Sequence, residues 1–220
     1  MIHRYIAAYL DPQDVYSELL FGLIMALTFT LGASLIANPG DDHLRTIVVG
    51  TVACNIAWGV IDAVFYVLGE VFELGLRGMR IKQVRMARTE DEGLAHIRRE
   101  FDERLGAVVL PEEREQVYRT IHRLIKRMEA PVERPTREGL IGAAIVFLLV
   151  SATSLPVLLP ALLVENTVIA VQISNLLLIA CLFGTGYGMA RATGHRGFAF
   201  GGIMALIGLL LGGGAKLLGG

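Results

Sequence analysis

Cysteine is scarce in this sequence: there are two, Cys54 and Cys181, and no CxxC pair. Each lies inside an apolar run, where a free thiol packs as a small hydrophobe. Thiolate metal motifs are therefore excluded. His-rich tracts, a P-loop and a nucleophile–base arrangement are also missing, so the chain is not read as an enzyme. Neither sign of charge is in excess. Twenty Lys and Arg stand against 21 Asp and Glu, for a net charge of −1, which argues against nucleic acid as a partner. A cleavable leader is not expected either. Residues 1–10 are too short and mixed for a signal core, and Asp11, Asp14 and Glu18 precede any long apolar run. Tyr5, Ile6, Tyr9 and Leu10 suggest instead one face of a short helix lying on a membrane surface.

What the chain does have is apolar length. It is 54% apolar and only 19% charged, where a soluble domain carries about a quarter charged residues. Fifteen of the 20 basic and 12 of the 21 acidic residues fall within 74–138. Two apolar blocks thus flank one polar block, the segregation a bilayer imposes. A spanning helix needs roughly 20 apolar residues, because the hydrocarbon core is about 30 Å thick. Its backbone must bond within its own segment. Five stretches qualify: residues 19–37, 46–69, 139–163, 167–190 and 198–218. Asn38-Pro39-Gly40 closes the first, and the second is expected to continue as a helix beyond the bilayer. Pro156 and Pro160 predict a kink or an early end late in the third. The expected fold is an all-α integral membrane protein with five transmembrane helices. Residues 1–73 hold the N-terminal segment and two spans, 74–138 form a helical insert, and 139–220 hold three spans.

Charge sets the expected orientation. The basic 74–138 segment should be cytoplasmic, and the short loop with Arg191, His195 and Arg196 agrees with it. The opposite loops, with Asp41, Asp42 and Arg45 and then Glu165, are acidic or nearly neutral. The N-terminus is then inside and the C-terminus on the opposite side. Within the insert, Thr89-Glu90-Asp91-Glu92 reads as a capping box. It opens a helix with Leu94, Ile97, Phe101 and Leu105 on one face. Pro111 suits the first position of the next helix. There Val117, Ile121, Leu124, Ile125 and Met128 recur at helical spacing, and Pro131 and Pro135 end the run. Such an insert is too small for a large core. Its partner is expected to be a second copy or the membrane helices.

Ionisable residues inside a span are costly and tend to mark a pathway. The second span carries Asn55, Asp62, Tyr66, Glu70 and Glu73. At about 100° per residue these share one stripe roughly 80° wide, with Gly59 leaving room on it and Arg77 continuing it. Glu70, Glu73 and Arg77 equally suit a helix emerging into water. Asp62, near mid-span, needs a cation, a proton or a hydrogen-bond partner. Asn55 suits a helix-to-helix hydrogen bond. The first span offers Glu18, with Met25 seven residues on along the same face. Gln172 and Asn175 suit packing hydrogen bonds in the fourth span. Gly201, Ala205, Gly208 and Gly212 are spaced for close helix contact in the fifth. Glu112, Glu113 and Glu115 in the insert suit either a hard cation or a solvated helix face, and His96 and His122 lack metal-ligand spacing.

Several local runs resemble the vacuolar iron transporter family. Ser17-Glu18-Leu19-Leu20-Phe21-Gly22-Leu23-Ile24 resembles the opening of that family's first span. Ser154-Leu155-Pro156-Val157-Leu158-Leu159-Pro160 resembles the proline-bearing end of its third, residues 184–194 the exit of its fourth, and residues 201–219 its small-residue-rich last span. The resemblance implies five spans, a helical cytoplasmic insert and a homodimer in the lipid bilayer. It also implies exchange of cytosolic iron or manganese (Fe2+ or Mn2+) for protons. The chain departs from the family where an Asp-Gly pair is expected in the first span, for Met25-Ala26 stand there. Two expectations result. In one, the chain handles divalent metal through Asp62, Glu70, Glu73, Glu18 and Met25, with Tyr66 and Asn55 orienting ligands or protons; carboxylates and a thioether suit Fe(II) or Mn(II) without cysteine. In the other, it is a non-transporting accessory or assembly subunit that has lost the family's transport site.

Overall fold

A computed structural model describes residues 6–36, 43–128 and 134–219. Among these the chain is all-helical, with eight helices. They are α1 (Pro12–Ile36), α2 (His43–Met86), α3 (Glu90–Gly106), α4 (Pro111–Arg127), α5 (Arg137–Ala152), α6 (Leu155–Leu163), α7 (Thr167–Ala192) and α8 (Gly197–Gly219). The expected turn at Asn38-Pro39-Gly40, the loop acids Asp41 and Asp42, and Tyr5 and Pro131 lie outside the described residues. Four helices are long and apolar enough to cross a membrane, within Pro12–Gly32, Leu44–Met86, Thr167–Ala192 and Gly197–Gly214. A fifth span results if α5 and α6, bent by 40° at their junction, count as one. Large apolar side chains such as Val60, Val64, Phe65, Leu206 and Leu210 are exposed along these helices, as lipid-facing surfaces require.

The chain forms two compact units, Met1–Tyr66 with Arg137–Gly220, and Val67–Thr136. Helix α2 is continuous through their boundary. Its 44 residues are about twice the number that a hydrocarbon core requires.

In the first unit, Leu23, Ala26 and Leu27 of α1 pack with Val157 of α6 and Leu178 and Leu182 of α7. The turn from α7 to α8 depends on Gly194, whose φ is +76°. His195 N–H donates to the Ala190 carbonyl at 2.8 Å and Gly194 N–H to Arg191 at 3.3 Å. This paired closure requires a left-handed residue just past the helix end, which glycine supplies without strain. The small residues of α8 then meet α7 in the same chain. A Cβ on Gly201 would lie 2.8 Å from the Phe183 carbonyl, and one on Gly208 3.1 Å from Leu182. Thr30 donates to Asn175 Oδ1 at 2.8 Å, the packing bond expected of that amide, while Gln172 is exposed. The N-terminal stretch does not present Leu10 to a membrane surface. Leu10 is buried within the protein, and the Tyr9 carbonyl accepts a 3.1 Å bond from Tyr66.

The third span breaks at Thr153–Ser154, before either proline. Pro156 falls in the first turn of α6, where a missing N–H costs nothing. Pro156 has no N–H for the Ala152 carbonyl four residues back and its ring crowds that carbonyl, so α5 ends there as expected; the Thr153 and Ser154 hydroxyls, donating to the carbonyls of Val150 and Ser151 at 2.6 Å each, close that end. Local bonds of this kind compete with the helical ladder.

In the second unit, Thr89 Oγ1 accepts from Glu92 N–H at 3.2 Å. Glu92 accepts in return from Arg88 N–H at 2.8 Å, one residue earlier than a capping box predicts. Leu94 and Ile97 of α3, Tyr118 of α4 and Val84 of α2 form the core, flanked by Phe101, Leu105, Ile121 and Ile125. The expected apolar face of α4 needs correction: Leu124 and Met128 are exposed, and Tyr118 and His122 are buried in their place. Tyr118 reconciles burial with polarity by donating to Asp102 at 2.8 Å. Burial and that bond hold its phenol above the ordinary value. A Cβ on Gly93 would overlap the His122 ring, 2.6 Å from Nε2. Glycine therefore allows α3 and α4 to approach.

Close approach also governs the first unit at Gly22, where a Cβ would overlap the Thr153 side chain. That side chain is held by bonds to Asn55 and Val150 and has little freedom to yield. Gly22→Ala is expected to destabilise the protein by about 1–3 kcal/mol, the usual range for overpacking. Thermal unfolding in detergent measures it, and an unchanged midpoint would contradict the packing described.

Candidate functional site: polar groups between α1, α2 and α5

Three helices bring polar side chains together in the first unit. Helix α1 contributes Glu18, α2 contributes Asn55 and Asp62, and α5 contributes Ser151, with Thr153 just beyond its end. The sequence allows this because glycine stands at three of the close approaches between these helices. Gly22, one turn after Glu18, meets Thr153. Gly59, between Asn55 and Asp62, would place a Cβ 3.0 Å from the Phe147 carbonyl and 3.1 Å from Ser151 Oγ. Gly142 would place one 2.7 Å from the Tyr66 hydroxyl.

Asn55 is fully buried. Its amide nitrogen donates to Thr153 Oγ1 at 2.8 Å and to the Gly22 carbonyl at 3.4 Å, the helix-to-helix bond expected from the sequence. Thr153 Oγ1 spends its own proton on the Val150 carbonyl. Both partners of Asn55 therefore act only as acceptors towards it, which fixes the amide with nitrogen towards α1 and α5. Its Oδ1 is left buried without a partner. Asp62 Oδ2 and Ser151 Oγ are likewise buried and unpartnered. Glu18 lies within electrostatic reach of both Asp62 and Asp14. Two carboxylates of like charge thus lie within electrostatic reach of each other, and an amide oxygen two turns from Asp62 along α2 and a hydroxyl near Gly59 have unused capacity. A buried acceptor normally finds a donor, and a buried carboxylate a cation or proton. This set therefore suits a positively charged guest.

The other candidate residues fall differently. Met25 is half-buried on α1. Tyr66 donates its hydroxyl to the Tyr9 carbonyl, so its proton is directed there and not at Asp62. Glu70 and Glu73 belong to the second unit. There Glu70 accepts from Thr136 while its other oxygen is buried and unpartnered, and Glu73 is exposed. Glu115 pairs with Arg98 at 2.8 Å and with Arg119, and the bond from Arg98 holds its carboxyl below the usual range. Among the described residues, no group of three or more His, Cys, Asp or Glu gathers as metal ligands would.

Ser151 and Thr153 were not anticipated from the sequence. The signal that could have found them is Ser151-Ala152-Thr153-Ser154, three hydroxyls in four residues within an otherwise apolar span. No family model matches the chain, and no curated protein matches it.

Proposed function

We propose that the protein carries a divalent cation across a bilayer, with Glu18 and Asp62 as its acidic centre. One observation carries this reading: two carboxylates lie within electrostatic reach inside candidate spans, and an oxygen of one is buried without a donor. Charge in that position is expensive to insert, by roughly 2.5–3.5 kcal/mol for an aspartate on translocon scales. A merely structural group would not require it. Bound cation offsets the repulsion between the two acids, and protons can do so when the cation leaves. This links cation export to proton entry. Iron or manganese is the cargo that the family resemblance favours, and a homodimer the assembly. The test is uptake of Mn(II) or Fe(II) into proteoliposomes with an internal pH dye. Cation-dependent pH change above that of empty vesicles supports the reading, and none at any gradient contradicts it.

The second reading, a non-transporting accessory subunit, is favoured by Met25-Ala26 standing where the family has Asp-Gly. The same assay separates the two.

The basic Val67–Thr136 unit is assigned to the cytoplasm by the positive-inside rule. Gly106, exposed at the end of α3, provides the check. Gly106→Cys, with Cys54 and Cys181 replaced by alanine, should resist an impermeant thiol reagent in intact cells and react after lysis. Labelling of intact cells would reverse the topology.

A further inference from the structure

The turn between α3 and α4, residues 107–110, carries large apolar side chains where turns are ordinarily polar. Val108 is 84% exposed and Leu110 65%. The backbone beneath them is nonetheless braced. Val108 and Val109 N–H donate to the Leu105 carbonyl at 3.0 and 2.8 Å, and Arg114 Nε donates to the Val109 carbonyl at 3.1 Å. A braced turn that holds apolar groups outward is suited to an apolar partner. We infer that this turn rests on the lipid bilayer, with Val108 and Leu110 inserted at its surface. The inference rests on α2 crossing the bilayer and is independent of the cation reading.

The register within the second unit decides which end of it the turn occupies. Helix α3 runs antiparallel to α2. Val84 packs with Leu94 and Ile97, and further back along α2 Arg80 pairs with Glu100. Val108 is eight residues beyond Glu100, a rise of about 12 Å, which brings it level with Phe72, eight residues before Arg80. Helix α4 returns antiparallel to α3, through Arg98 with Glu115 and Gly93 with His122. It ends beside Arg85, whose carbonyl accepts from Lys126 at 2.9 Å and whose guanidinium donates to the Met128 carbonyl at 3.3 Å. Leu110 is 18 residues before Met128, level with Val67, 18 residues before Arg85. Both paths put the turn beside residues 67–72 of α2.

That level is where the apolar stretch 46–69 ends and where Leu68 and Phe72 are exposed. A bilayer that α2 crosses therefore has its surface beside the turn. Met86 and Met128 are also exposed, but at the opposite end of the unit, among Arg85, Arg88, Lys126 and Arg127. Met86 lies about 21 Å beyond Phe72 along α2. Beside the turn itself, Glu112 and Glu113 are exposed. Acids attract no anionic headgroup, so the contact is apolar and shallow, and a zwitterionic lipid is sufficient for it.

The experiment reads depth. The full chain, with Cys54 and Cys181 replaced by alanine, carries one spin-labelled cysteine at an exposed position and is reconstituted in phosphatidylcholine vesicles. Oxygen concentrates in lipid and a nickel chelate in water, so their collision rates with the label report where it sits. Val64→Cys on α2 is the lipid reference and Arg123→Cys on α4 the water reference. Val108→Cys and Leu110→Cys should collide with the chelate at least about threefold less than Arg123→Cys, and with oxygen more. Chelate collision equal to that of Arg123→Cys overturns the inference. Protection from both probes also overturns it, because protein, a second copy included, would then cover the turn. A water-accessible Val64→Cys removes the premise that α2 crosses the bilayer, and the inference with it. Cation flux enters none of these readings, so their failure is distinct from failure of the carrier proposal.

Discussion

Asp62→Asn should abolish cation-dependent flux while the protein still inserts, purifies and melts no lower than the parent. The substitution keeps shape and removes charge. Asp62 lies on α2 near Gly59, with Oδ2 buried and unpartnered, so among the described residues no bond to that oxygen needs its negative charge. If the group served packing, the amide would do as well, and relieving a charge in a span should raise stability. If it holds a cation or a proton, the amide does neither at neutral pH. Glu18 would remain, but one carboxylate offsets less of a divalent charge and cannot by itself exchange two protons for it. Glu73→Gln is the contrasting variant. Glu73 is exposed and belongs to the second unit, so only a partial loss through weaker cation capture is expected. Normal flux in a well-folded Asp62→Asn protein would remove the acidic centre from the account.

The second large effect concerns stability. Leu94→Ala should destabilise the second unit by about 2–5 kcal/mol, the range for truncating a buried leucine. Leu94 is 1% exposed and packs with Ile97, Val84 and Tyr118. The core is small, and few neighbours can move in to fill the space. The salt bridges around it offset little, because Arg98–Glu115 and Arg80–Glu100 join half-exposed side chains, where water screens the attraction. Amide exchange in α3 and α4 of the full chain reads the loss directly. Protection unchanged in both helices would mean that the core described here does not hold the unit together.

Much of the architecture was legible because the bilayer and the helix each impose one strong period. Runs of about 20 apolar residues marked the spans, and Thr89 and Pro111 marked helix starts through caps that depend only on neighbouring backbone. The break in the third apolar stretch was legible from Pro156, which blocks the Ala152 carbonyl, whereas the Thr153 and Ser154 hydroxyl bonds that close it are not revealed by composition. The α4 core face was misread for a related reason: counting aliphatic residues favoured Leu124 and Met128, while Tyr118 and His122 bury ring area that the count ignored. Asp62 and Glu18 were both noticeable as charges in apolar runs. Their proximity was not, because it depends on α1 and α2 meeting through Gly22, Asn55 and Thr153. Tyr66, one turn from Asp62 in sequence, donates to the Tyr9 carbonyl, a contact that helical spacing does not reveal.

The central claim is that a cation is held by Glu18 and Asp62. Anomalous scattering from crystals grown with Mn(II) tests it most directly. The account predicts one peak beside those two side chains, lost in Asp62→Asn crystals. A peak found only on the acidic residues of the second unit, or none at saturating Mn(II), would contradict it.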